Sequence, residues 1–246
     1  MITLKEENNV YVIYLGNDPV NALSLELVSE LSLLLKEILE NKDTRGLIIS
    51  SSLKHFCAGA DLKERSEMSD GESINTVYTL KTLMFDIYCL PFPTISLING
   101  TCLGGGLELA LSCDFRIAAE DAVFAFPETT LGIIPGAGGT QLLPRLIGPQ
   151  KAKEMIFSGE KIDSKEALDI GLIDKCCQPD KLESSGFDLI NRFRSSSKAA
   201  INSAKISINE GLDLDIKSAL NVEFREYIKT LDTQERKDAL KRYRKS

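Results

Sequence analysis

Thr94-Ile-Ser-Leu-Ile-Asn-Gly-Thr-Cys-Leu-Gly-Gly-Gly-Leu-Glu-Leu-Ala-Leu-Ser-Cys-Asp-Phe-Arg-Ile-Ala118 holds a complete structural unit in one stretch. Thr94 to Ile98 is an apolar run without alternation, as expected of a strand buried on both faces of a sheet. Asn99 to Gly106 reads as a Gly-rich turn, Leu107 to Ser112 opens a helix, and Asp114 to Ala118 is a second short strand. The same order recurs on either side. Val10 to Leu15 is a β-branched and aromatic strand, and Asn17-Asp18-Pro19 supplies turn chemistry. Ser24 caps a helix carried by Leu27, Val28, Leu31, Leu34, Leu35, Ile38 and Leu39 at helical spacing. The Asn41-Lys42-Asp43 turn leads to a buried strand over Gly46 to Ser50. A loop from Leu53 to Asp61 precedes a polar helical stretch to about Tyr88, which Pro91 and Pro93 stop. Val123 to Phe126 is one more strand. Strands alternating with helices in this way predict an α/β fold with a mostly parallel sheet.

Beyond Pro149 the pattern is helical, apart from a strand near Leu172 to Cys176. Ser195-Ser196-Ser197 is the linker candidate, dividing a core of residues 1–195 from a helical region of residues 198–246 with Gly211 as a break. That region carries Ile201, Ala204, Ile208, Leu220, Phe224 and Ile228, an apolar face that needs a cover.

The 246 residues carry a net charge of −7, and no broad basic surface is legible, so no nucleic-acid partner is expected. Lys241-Arg-Tyr-Arg-Lys245 reads as a solvated tail. No apolar stretch is long enough to span a membrane. The six cysteines form no C-x-x-C pair and read as reduced thiols. With His55 as the single histidine, no metal site is expected. The N-terminus resembles neither a signal nor a transit peptide. The expected location is the cytoplasm, or the mitochondrial matrix if a presequence has been removed.

Three segments carry candidate chemistry. Phe56-Cys-Ala-Gly-Ala-Asp61 packs small residues directly after a buried strand, either as a tight turn or to let a ligand approach the backbone. The triplet Gly104-Gly105-Gly106 opens a helix, although glycine disfavours one, so something there requires bare backbone. The first amides of a helix lack intrahelical partners and sit at the positive end of its dipole, where an anion or oxyanion is welcome. Glu108 follows three residues after Gly105 among leucines and alanine, as a capping glutamate or a working one. The third segment is Phe126-Pro-Glu-Thr-Thr-Leu-Gly-Ile-Ile-Pro-Gly-Ala-Gly-Gly-Thr140, with Glu128 as its one carboxylate. Twenty residues separate Glu108 from Glu128, enough to run down a helix and return along a strand. Two converging carboxylates can divide acid and base roles. Neither glycine cluster fits a dinucleotide or P-loop fingerprint.

Together, FCAGADL (56–62), NGTCLGGGLELALSCDFRIA (99–118) and PETTLGIIPGAGGTQLLPRLIG (127–148) closely resemble the enoyl-CoA hydratase/isomerase, or crotonase, superfamily. The likeness runs over essentially the whole chain. It implies a spiral of repeated ββα units, with C-terminal helices that pack in trimers, often paired as hexamers. It further implies that the amides of Ala60 and Gly105 hold the thioester oxygen as an oxyanion hole. By the same resemblance Ala58 lies along the adenine or pantetheine path, and Asp61, Leu62 and Lys63 line the acyl-CoA site. Hydratases of this kind carry a glutamate in each of the G-G-G-x-E and P-E motifs, and this sequence has both, as Glu108 and Glu128. The expected reaction adds water to a trans-2-enoyl-CoA, as in fatty-acid β-oxidation, with no cofactor besides the CoA of the substrate. Glu108 is assigned to the water and Glu128 to proton delivery at the α-carbon. A Δ3,Δ2-enoyl-CoA isomerase would need only one base. Branched 3-methylglutaconyl-CoA is another hydration substrate that the motifs allow. RNA binding through the first helix is disfavoured by one lysine, Lys36, against four glutamates over residues 25–41. A catalytically silent CoA-binding scaffold is the reading from a different class.

Overall fold

A computed structural model describes residues 1–243. Strands β1 (Ile2–Glu7) and β2 (Val10–Leu15) form a hairpin, followed by α1 (Leu25–Glu40), β3 (Gly46–Ser51), α2 (Leu62–Ser66) and α3 (Asp70–Tyr88). Then come β4 (Thr94–Ile98), β5 (Thr101–Leu103), α4 (Gly105–Leu111), β6 (Phe115–Ala119) and β7 (Val123–Ala125). A 3-10 turn (Pro127–Leu131) leads to α5 (Gly139–Ile147), α6 (Pro149–Ser158), β8 (Ile162–Asp163), α7 (Ser164–Asp169), β9 (Lys175–Cys177) and α8 (Leu182–Phe193). Three helices close the chain: α9 (Lys198–Gly211), α10 (Ile216–Thr230) and α11 (Gln234–Tyr243). Arg244 and Lys245 of the basic tail lie outside the described residues.

The larger sheet has the order β1-β2-β3-β4-β6-β9, and β5-β7-β8 form a smaller one. Only β1 runs antiparallel in the larger sheet, so the expected parallel sheet is present. After β4, and again after β6, the chain steps across into the smaller sheet before its next helix or turn. That step makes the spiral. Side-chain alternation on β2, β3, β4 and β6 then feeds two cores. Val10, Val12, Ile48, Ile95, Leu97 and Ile117 face Leu182 and Ile190 of α8. Ile13, Leu15, Leu47, Ile49 and Ile98 face the main cluster with α1 and α3. Apolar packing on both faces explains why these strands read as unbroken hydrophobic runs.

Three expectations need correction. Residues 101–103, taken as part of a turn, are strand β5, because Val123–Ala125 pairs with them in parallel register. The polar helical stretch is two helices, since Asp61 caps α2 and Ser69 starts α3 with a full capping box to Glu72. The strands β1 and β8 stand where the sequence pattern showed none. His55 sits in the loop after β3, half-buried, with its Nδ1 2.9 Å from Thr101 Oγ1.

Candidate active site

The three singled-out segments meet at the start of α4. The loop after β3 is laid along β5 by Cys57 N donating to Thr101 O and Leu103 N donating to Cys57 O, both at 3.0 Å. Gly106 lies so close beneath it that a Cβ there would overlap Cys57 O. Gly104, at φ 50°, leaves room on its open side for Glu128 Oε1, which a Cβ would strike. Bare backbone is therefore required for close approach, not for the helix.

Two peptide groups lie side by side at the start of α4. A Cβ built on Gly105 would lie 3.6 Å from Ala60 N, and one on Gly59 would lie 3.3 Å from Gly105 N. Among the described residues, neither Ala60 N nor Gly105 N donates a hydrogen bond within the chain. Both are aimed by what holds the other side of the same planar peptide. Leu23 N donates to Gly59 O at 2.8 Å, so the trans Ala60 N–H must point the opposite way. Leu107 N (2.8 Å) and Glu108 N (2.9 Å) donate to Gly104 O, which turns the Gly105 N–H outward likewise.

The two carboxylates sit in unlike surroundings. Glu108 is buried on α4, and its Oε1 accepts from Ala137 N and Gly139 N, both at 2.8 Å. Burial raises its pKa above the ordinary 4.5, and those two amides pull in the opposite direction. Glu128 opens the 3-10 turn and is half-buried, with Oε2 lacking any hydrogen-bond partner. Its pKa is pushed up to about 7, mainly by burial and further by the charge of Glu108. Two backbone amides at the start of α5 thus hold one oxygen of Glu108, while Glu128, with one oxygen unpartnered, keeps its proton well above the ordinary carboxylate range.

The other expected site residues are placed less centrally. Ala58 is half-buried, and its N donates to Val20 O at 3.0 Å, so its amide is occupied. Asp61 caps α2, accepting from Lys63 N and Glu64 N at 3.0 Å. Leu62 and Lys63 stand exposed on the first turn of that helix. Two features escaped the sequence reading. Ala137 and Gly139 lay inside the third quoted segment without a role, although a Gly-Gly helix start with no side-chain cap signals amides in want of an anion. Asn21, fully buried at φ 54°, carried no signal beyond asparagine's tolerance of that conformation. A separate cavity of about 460 Å³ opens between α9 and the far ends of α4 and α5, with neither Glu108 nor Glu128 in its lining. Among the described residues, no cluster of three or more His, Cys, Asp or Glu side chains could hold a metal ion.

The spiral of paired sheets, with a carboxylate pair beside two aimed amides, defines a crotonase-fold α/β protein. The enoyl-CoA hydratase/isomerase family model matches residues 5–245, and the chain belongs to that family. It is similar to the enoyl-CoA hydratase from Bacillus anthracis, at 40% identity and TM-score 0.95, over 99% of this chain and 96% of that one. The human mitochondrial methylglutaconyl-CoA hydratase is 41% identical over 96% of this chain and 72% of its own length. The enoyl-CoA isomerase/hydratase fer4 of Mycosarcoma maydis is 41% identical over 89% and 84% respectively.

Proposed function

We propose that this chain hydrates a trans-2-enoyl-CoA to the 3-hydroxyacyl-CoA. The observation that carries the reading is the unlike pair, an amide-anchored Glu108 and a proton-retaining Glu128, beside the unpartnered amides of Ala60 and Gly105. The thioester oxygen takes the two amides, which are fixed before charge develops on it. A donor of this kind is typically worth about 2.7–4 kcal/mol in the transition state. Glu108 removes a proton from water as the oxygen adds to C3. Glu128 gives its proton to C2, and the proton on Glu108 restores the pair for the next turnover. Atoms balance with no redox change, so no cofactor is needed beyond the CoA that the substrate carries. Positioned acid and base groups supply about 10²–10⁴-fold.

An isomerase would leave one of the two carboxylates without work. The likeness to methylglutaconyl-CoA hydratase favours a branched enoyl-CoA as the second substrate to try. Residues 1–195 form the catalytic core in this reading. Ile208, Leu212, Leu220 and Phe224 are exposed on α9, α10 and the turn between them, which supports assembly as a trimer or a hexamer.

Loss of the conjugated enoyl absorbance with crotonyl-CoA and 3-methylglutaconyl-CoA tests the proposal. Wild type should consume at least one of them, while Glu108→Gln and Glu128→Gln lose the activity and still bind CoA. A wild type that binds enoyl-CoAs and hydrates none would overturn it.

A further inference from the structure

Ala60 N–H is aimed by Leu23 N, so whatever fixes Leu23 fixes one half of the pair of amides. The turn carrying Leu23 holds one fully buried polar side chain, Asn21. Its Nδ2 donates to Ser51 Oγ at 2.8 Å and to His55 O and Phe56 O at 3.0 Å each. Its Oδ1 accepts from Asn17 N at 2.8 Å, closing the turn on itself. The backbone of Asn21 takes part as well, since Cys57 Sγ donates to Asn21 O at 3.0 Å. On either side of it, Ala58 N donates to Val20 O (3.0 Å) and Leu23 N donates to Gly59 O (2.8 Å). One carboxamide thereby joins the end of β3, the loop from His55 to Ala60 and the turn before α1. A buried asparagine with this many bonds is costly to replace, because each lost bond strands a carbonyl or amide away from water.

We propose that Asn21 is a positioning residue for the oxyanion site, setting the direction of the Ala60 N–H through the Val20–Leu23 turn. The inference rests on the hydratase reading of that site. Asn21 touches no reacting atom, so its loss should act on the transition state far more than on CoA binding.

Asn21→Gly tests this, because glycine keeps the positive φ and removes only the carboxamide. Ser51→Ala, which removes one of the three acceptors, is the milder companion and carries the test if Asn21→Gly does not fold. Ile38→Ala, a cavity at the far end of α1, controls for general loss of stability. Two readouts are taken on each protein: steady-state hydration, and the absorption maximum of a bound arylacryloyl-CoA, which moves to the red when its thioester carbonyl is polarised. Expected for Asn21→Gly are a fall in kcat of about 10²-fold, as for about 1 Å of misplacement, a nearly constant KM and a much smaller red shift. Ser51→Ala should fall between it and wild type, and Ile38→Ala should keep both kcat and the red shift. A folded Asn21→Gly, or failing that Ser51→Ala, with wild-type kcat and red shift would overturn the proposal. A wild type that neither hydrates nor shifts the chromophore would instead overturn the hydratase reading on which it rests.

Discussion

Replacing Glu128 by Gln should stabilise the folded chain at pH 8 relative to pH 5, while abolishing hydration. In the folded state the carboxyl is half-buried, one of its oxygens has no partner, and its pKa is raised from 4.5 to about 7. In the unfolded chain it ionises near the ordinary value. Between those two pH values the folded state keeps a proton that the unfolded state has released. The wild type therefore has its full stability from this group below pH 4.5 and loses it as pH rises through about 7. The span from 4.5 to about 7, at about 1.36 kcal/mol per unit, caps the loss at about 3.4 kcal/mol. Solvent reaches this side chain, so screening reduces the expected loss to about 1–2 kcal/mol. Gln cannot ionise and escapes the penalty. Any packing cost of its amide is the same at both pH values, so it cancels in the comparison. Urea unfolding of both proteins at pH 5 and pH 8, at one fixed protein concentration, reads the difference. An unchanged offset between them at the two pH values, or an offset that moves in favour of the wild type at pH 8, would refute the electrostatic account of Glu128.

Two further outcomes follow from the same geometry. The profile of kcat/KM against pH should be bell-shaped, rising as Glu108 ionises above the ordinary carboxylate range and falling near pH 7 as Glu128 gives up its proton. A profile flat from pH 6 to 9 would remove Glu128 as the acid. Gly106→Ala should cost about 1–3 kcal/mol in urea unfolding, as overpacking does, because its Cβ overlaps Cys57 O and pushes the 56–60 loop off α4. Unchanged stability would mean that the loop is not held by that contact.

How much of this was legible in the sequence depends on whether the cause is local. The helix α1 was, because Ser24 caps it and its apolar spacing is regular. The strands β3 and β4 were, because burial on both faces leaves an unbroken apolar run. By contrast β1, Ile-Thr-Leu-Lys-Glu-Glu, is a charged edge strand made by its pairing with β2. In β5 there are only three residues, and its bonds come from Val123–Ala125 and from Cys57. Partners that far away leave no trace in a local pattern. The break between α2 and α3 was readable, since Ser69-x-x-Glu72 is a capping box. In the site, Glu108 and Glu128 stood out as lone carboxylates in apolar surroundings. The amides that hold and face them did not, because every residue except proline has one and only the fold decides which are left free.

The glycine triplet shows how the fold makes that choice. In a helix interior each glycine is disfavoured against alanine by about 1 kcal/mol. Three in a row at the start of α4 would weaken it without a compensating contact, and each has a different one. Gly104 admits Glu128, Gly105 lies against Leu23 and Ala60, and Gly106 lies against Cys57. The contacts come from the Glu128 turn, the Leu23 turn and the loop from Cys57 to Ala60. Removing the side chains here brings the Glu128 carboxylate, the Ala60 amide and the loop that carries it within reach of one helix end. Glu108, one turn along, completes the set. The weakness of the helix start is then the physical condition for the site, and alanine in the triplet should be felt first in activity at Gly104 and first in stability at Gly106.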